Sequence, residues 1–460
     1  MRLRDKIALF TMLGGMTFTM SSCDFIHRII HRGVPTAMDT KFIKEFHEIN
    51  FLTPDDMLEE DNLSLYVDNS SCITLGQNSP FYQSLVPSFV DATKTYYSIK
   101  GSDIIKEETP DTYNRLLNIV NVDYAELRKA AEEIASGKGE GVLLTDGEYY
   151  NPTIAGANPN NPYLAKAFKT WMKRGHDIYI ISEPYVEPHN GNNYQKKRFY
   201  FLFTDSRLKN NIYDRIRQTA KLEDFPDVHL FHLSADHPSL MSKNGLTTEP
   251  NPLLAASVAT DKKYGFEVQD WTVGWDQIEN FIMGAVDEKT GQPLPNGDYV
   301  IKGLKVDRNS FGGYKIKDVR STVSPLNVEY TSFYDGKEGQ LKPGKISQPL
   351  DEITTFLVVD KKEFEKHGIV NLYFDINNLT NSFLDGNPFN YFKIDLFIDN
   401  IETVFQNYRE MFTFDLLGQP GRINQSVAAS VEQCLTDEDL QNQMKHSPIY
   451  SIYVKSNKHK

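Results

Sequence analysis

Apolar and polar positions divide the chain into two textures that meet near residue 250. From Leu63 onward, short apolar runs alternate with stretches of helical periodicity. LSLYVD (63–68), TYYSI (95–99), GVLLTDG (141–147), DIYIIS (177–182), KRFYFLFTD (197–205) and VHLFHLS (228–234) read as strands. FYQSLVPSFVDA (81–92), VDYAELRKAAEEIA (122–135), LAKAFKTWMKRG (164–175) and residues 206–220 read as helices. Asn78-Ser79-Pro80 supplies start chemistry, Gly137 and Gly175 supply stops, and Pro87 is expected to shorten or kink its helix. The polar stretch between 183 and 196 reads as a loop. Near-continuous apolar strands alternating with helices imply an α/β fold, a doubly wound and mostly parallel sheet covered on both faces.

After Pro250-Asn251-Pro252 the pattern changes. One helix is expected over WDQIENFIMGAV (275–286). The remainder reads as short aromatic strands: DYVIKGLKV, GGYKIKDV, NVEYTSFYDG, EITTFLVVD, IVNLYFDINN, NYFKIDLFID and PIYSIYVKS. Strands at this spacing predict a mainly antiparallel β domain, a sandwich or a barrel. The expected organisation is an α/β domain over 62–250 and a β-rich domain over 251–460.

The N-terminus changes the picture. Arg2, Arg4 and Lys6 precede an apolar stretch from Ile7 to Met20, and Met20-Ser21-Ser22-Cys23 closes it. About 14 apolar residues fall short of the roughly 20 that a spanning helix needs. The last four residues resemble the lipobox of bacterial lipoproteins, with Met20 where Leu is usual. That resemblance implies a signal peptide over 1–22, diacylation (palmitate-type) of Cys23, and a chain held to the bacterial cell envelope by lipid. The expected address is the outer membrane on its periplasmic side, with surface exposure the alternative. Residues 23–61 form a tether and lead-in, with Phe42, Phe46 and Ile49 on one helical face.

Composition is that of a globular protein, with 460 residues, 40% hydrophobic and 24% charged. Loss of the signal removes three basic and one acidic residue, so the formal charge of −13 becomes about −15. Such acidity argues against nucleic acid as a partner. Cys72 and Cys434 remain, either as a disulfide permitted by export or as two buried thiols.

Two strands end in an aspartate, at Asp68 and at Asp146, where open α/β sheets bind their ligands. Asp68-Asn69-Ser70-Ser71-Cys72 and Thr145-Asp146-Gly147 together resemble the von Willebrand factor A-type domain, which carries Asp-x-Ser-x-Ser after its first strand and Thr-Asp-Gly after a later one. The resemblance covers about 175 residues. It implies a metal-ion-dependent adhesion site, with Asp68, Ser70 and Asp146 among the oxygen ligands of Mg²⁺ or another divalent cation. Cys72 departs from the pattern at the second serine, and sulfur is a poor Mg²⁺ ligand. The loop expected to hold a threonine reads Ile119-Val120-Asn121-Val122-Asp123, so Asn121 or Asp123 would have to serve. The bland alternative is that both aspartates cap helices and satisfy loop amides.

Other candidates carry less. His229 and His232 point to opposite faces of a strand and cannot chelate together, with or without His237. Trp271 and Trp275 read as packing at the domain junction. Glu183 and Glu187 follow a strand end and read as ordinary loop carboxylates. Serine-hydrolase, zincin, phosphate-loop and dinucleotide motifs are absent from the sequence. The functional expectation is an envelope lipoprotein that binds a protein partner or assembly. The alternatives are a metal-assisted hydrolase working in the Asp68/Asp146 crevice and a purely structural lipoprotein.

Overall fold

The computed structural model describes residues 56–108, 111–118, 125–151, 156–235, 267–272, 275–283, 299–306, 308, 313–333, 340–347, 353–378 and 389–458. Cys23 with the signal segment, Asn121, Asp123 and His237 lie outside them. Among the described residues no helix is long and apolar enough to cross a membrane.

A seven-stranded sheet organises the first half. Its strands are β1 (Leu63–Asp68), β2 (Thr93–Lys100), β3 (Asp103–Lys106), β4 (Gly141–Thr145), β5 (Asp177–His189), β6 (Asn192–Thr204) and β7 (His229–Leu233). They lie in the order β3-β2-β1-β4-β6-β5-β7. Alternation along the strands sends Leu63, Leu65, Val67, Val142 and Leu144 into one core, beneath α1 (Ser71–Gly76), α2 (Pro80–Ala92), α3 (Thr112–Leu117) and α6 (Ile212–Thr219). Tyr66, Leu143, Ile178 and Phe201 enter the opposite core, under α4 (Leu127–Ser136) and α5 (Ala165–Lys173). Helices therefore cover both faces, as expected of an α/β fold.

The expectation of a mostly parallel sheet needs correction. Only β2-β1-β4 run parallel side by side, and β3, β6 and β7 run against their neighbours. A tight turn at Gly101-Ser102 reverses β3, and for β6 the cause is a hairpin where a loop was expected. Asn190 and Gly191, with φ of 49° and 78°, form a two-residue turn that sends the chain straight back along β5. Its return strand, β6, inserts between β4 and β5.

Several helices begin where their capping residues dictate. Ser79 accepts the Tyr82 amide, and Pro80 opens α2, which continues through Pro87 to Ala92 rather than stopping early. Asn211 accepts the Asp214 amide, so α6 starts there and not at 206.

The second half holds a six-stranded sheet of β8 (Glu267–Thr272), β9 (Trp275–Met283), β11 (Tyr314–Phe333), β12 (Gln340–Ser347), β15 (Phe389–Thr403) and β16 (Pro448–Lys458), ordered β8-β9-β16-β15-β11-β12. A three-stranded sheet of β10 (Tyr299–Lys305), β13 (Leu357–Val359) and β14 (Ile369–Phe374) accompanies it. All these pairings are antiparallel except β9 with β16. The helix expected over 275–286 is strand β9, because pairing with β8 and β16 overrides a pattern compatible with either element.

Helices also appear where strands alone were expected: α7 (Lys361–His367), α8 (Ser426–Leu435) and α9 (Glu438–His446). The last two return to the first sheet. Ser430 Oγ accepts the Leu164 amide at 3.2 Å, and Gln443 donates to the Met172 carbonyl at 3.1 Å. One continuous core thus joins Phe168, Trp171 and Phe231 to Val427, Val431, Ile394 and Ile452.

Candidate functional site

Strand order reverses direction beside β1, because β2 lies on one side of it and β4 on the other. That reversal makes a crevice at the carboxyl ends of β1 and β4, where open α/β sheets place ligands. Asp68 ends β1, and Asp146 follows the last residue of β4. The structure brings them together as the sequence suggested. Thr145 Oγ1 donates to Asp68 Oδ2 at 2.7 Å and accepts the Gly147 amide at 3.1 Å. Asp146 Oδ1 accepts the Glu148 amide at 2.8 Å. Asp68 also interacts with a loop amide, that of Asp146, and with the Ser70 hydroxyl, both of which draw its pKa down. Asp68 caps nothing, and its Oδ1 is buried without a hydrogen-bond partner among the described residues.

Ser70 and Cys72 sit where the motif places them, with different partners. Ser70 precedes α1 without a side-chain capping bond, and its hydroxyl donates to Cys72 Sγ at 3.2 Å. Burial and the nearby Asp68 and Asp146 push the Cys72 thiol well above its ordinary pKa. Cys434 is also a buried free thiol, 3.7 Å from the Ala165 carbonyl. The two sulfurs belong to cores on opposite faces of the sheet, so the disulfide alternative does not hold.

The residue that sequence reasoning missed is Lys196. Thr145 pairs with Phe199, so residues 192–198 of β6 continue past the end of β4 as an arm over the crevice. The arm places the fully buried Lys196 ammonium 2.6 Å from Glu148 Oε1 and 3.7 Å from Asp146 Oδ2. The Phe414 ring lies 4.9 Å from the same nitrogen. Burial alone would lower the Lys196 pKa, but Asp146 and Glu148 outweigh it and hold the group charged. Gln195 donates its amide to Asp415 at 2.7 Å, which fastens the arm to the segment beside Phe414.

Glu183 and Glu187 are not loop carboxylates. Both lie buried in β5. Glu183 receives Arg198 at 2.5 Å and the Tyr200 hydroxyl at 2.7 Å, and it also pairs with Ser79. Arg198 turns its other nitrogens on the Cys72 carbonyl at 2.5 and 2.8 Å, locking α1 to the arm. Glu187 accepts the Ser71 hydroxyl at 2.6 Å.

The electrostatics follow from burial. Asp68 and Asp146 are 1% and 6% exposed. Burial raises the pKa of both carboxyls, the Thr145 bond to Asp68 and the Lys196 charge beside Asp146 offset part of the rise, and the Asp68 charge raises Asp146 further. Asp68, Ser70 and Asp146 nevertheless do not fit a resident Mg²⁺. An ammonium already lies beside Asp146, the second hydroxyl position carries a protonated thiol, and Ser70 is turned toward that sulfur. Among the described residues no three His, Cys, Asp or Glu side chains are grouped to hold a metal.

The histidines divide as strand geometry requires. His229 is exposed, while His232 is buried with Nε2 3.0 Å from Asp177 Oδ1. Trp271 and Trp275 fall on the paired strands β8 and β9. Compared with family models, curated proteins and solved structures, the chain matches none.

Proposed function

We propose that this chain is a lipid-tethered envelope protein that docks a protein partner or assembly through a von Willebrand A-like α/β domain without a bound metal. The lipobox-like Met20-Ser21-Ser22-Cys23 motif supports the tether. The parallel β2-β1-β4 core, with Asp68 and Asp146 at its switch point, supports the A-like reading. One observation carries the preference for docking over hydrolysis: the Lys196 arm closes the crevice from within. Both aspartates and the ammonium are buried, so the end of the sheet is a rigid rim rather than a reaction cleft.

The rim is built from the hairpin and from the turn that follows Asp415. It presents Val186 and Ile423, two large apolar side chains that are 46% and 44% exposed. Photo-cross-linkers placed singly at these two positions in the acylated protein, in intact envelopes, test the reading. A shared, discrete adduct absent from an Ile353 control is expected. Equal adducts from all three positions would contradict it. Acyl labelling lost in Cys23→Ala tests the tether separately.

A further inference from the structure

The geometry points to the Lys196 ammonium as the built-in cation of the Asp68/Asp146 crevice, standing where a divalent ion would otherwise balance those carboxylates. The inference stands on the crevice and is independent of any partner docking there. Three buried features carry it. The ammonium is fully buried and lies within 3.7 Å of Asp146 and 2.6 Å of Glu148. Asp68 Oδ1 is buried with no hydrogen-bond partner among the described residues, an oxygen with unused capacity for a cation. Thr145 Oγ1, held between Asp68 Oδ2 and the Gly147 amide, adds a hard oxygen of the kind that Mg²⁺ and Mn²⁺ select, while Ser70 stays turned toward Cys72.

The ammonium also explains why a second cation is excluded. A lysine side chain cannot leave the site unless the arm leaves, and Arg198 and Gln195 pin that arm at two separate points. A divalent ion entering beside Lys196 would meet a like charge in a medium that screens poorly. The arm therefore makes the sheet end independent of metal supply, and removing the ammonium exposes a latent divalent-cation site.

The test uses the full acylated protein in detergent micelles, with Mg²⁺ and Mn²⁺ as probes read by titration calorimetry and thermal unfolding. Wild type is expected to give neither heat nor a shift in midpoint. Lys196→Met is expected to unfold at lower temperature and to regain a few degrees at millimolar Mn²⁺. The triple variant Lys196→Met/Asp146→Asn/Glu148→Gln removes the ammonium and both carboxylates that face it, so it is expected to regain stability without metal and to ignore Mn²⁺. A wild-type metal response overturns the inference, as does a folded Lys196→Met that ignores Mn²⁺. Where Lys196→Met does not fold, the triple variant decides: a folded triple variant supports charge neutralisation as the role of Lys196, and an unfolded one overturns it.

Discussion

The same sheet carries two buried groups of aspartates, one at each end, and they are satisfied in opposite ways. At the end where β5 begins, Asp177 receives His232 at 3.0 Å, the Ser206 amide at 2.9 Å and the Ser206 hydroxyl at 2.8 Å. Beside it, Asp205 receives His176 at 2.8 Å and the Arg207 amide and side chain. Burial alone would raise Asp177, but His232 and Ser206 outweigh it and bring the pKa to about 2. At the other end Asp68 has Thr145 as its close side-chain donor and, among the described residues, no hydrogen-bond partner at Oδ1, and Asp146 relies on Lys196. Equal burial with fewer donors leaves both of these carboxyls raised. Well-supplied carboxylates hold a fold together, whereas under-supplied ones at a switch point mark a place built around a cation.

Loss of Lys196 is expected to have the largest effect. Lys196→Met should cost about 3–5 kcal/mol, the usual penalty for removing one member of a buried ion pair, measured by denaturant unfolding. Gly76→Ala comes next. A Cβ there would lie 2.6 Å from Arg198 Cζ, and Arg198 is tied to Glu183 and to the Cys72 carbonyl, so the guanidinium has no room to yield. A loss of about 1–3 kcal/mol is expected, with Gly137→Ala as the milder control. His232→Phe strips Asp177 of one donor and should cost about 1–3 kcal/mol near neutral pH, while leaving the Lys196 end untouched.

The two ends also predict opposite pH behaviour. Asp177, lowered from 3.8 to about 2, contributes stability that is present above about pH 4 and lost as pH falls through about 2. Asp68 and Asp146 are raised from 3.8 to about 6 and about 8. Between about pH 4 and pH 8 the folded chain therefore holds protons that the unfolded chain has released. Their contribution is full below about pH 4 and is lost as pH rises through about 6 to 8. Asp146→Asn should flatten the decline in unfolding free energy between pH 6 and 8, and a slope unchanged from wild type would contradict the assignment. The smallest expected effect is that of reductant: with both thiols free, dithiothreitol should leave the unfolding midpoint unchanged.

Much of the carboxyl-end architecture was legible in the residues. The apolar runs ending at Asp68 and Asp146 located two adjacent parallel strands and the crevice between them. The missing part was Lys196, and the reason is physical. A lysine is buried only when distant carboxylates demand it, and Glu148 and Asp146 lie about fifty positions away in sequence. One local signal was present: Asn190-Gly191 is a hairpin turn pair, and reading it would have replaced the expected loop with two antiparallel strands. Polar residues along Glu183–Lys197 hid the strand pattern, because several of them face buried partners rather than water.

In the second half, Trp275, Ile278 and Ile282 suit a helix face as well as a strand, and only the neighbouring strands decide between them. The last helix was signalled by Asp437 as its cap, by Glu438 and Asp439 in its first turn, and by Lys445 and His446 in its last.

The most direct test of a crevice closed by its own ammonium is a Mn²⁺ titration of the wild-type protein, followed by electron paramagnetic resonance of the free aquo ion. With Lys196 in place, the free-ion signal should grow in proportion to added Mn²⁺ from the first addition. Disappearance of that signal up to one Mn²⁺ per chain, abolished by Asp146→Asn, would contradict the account.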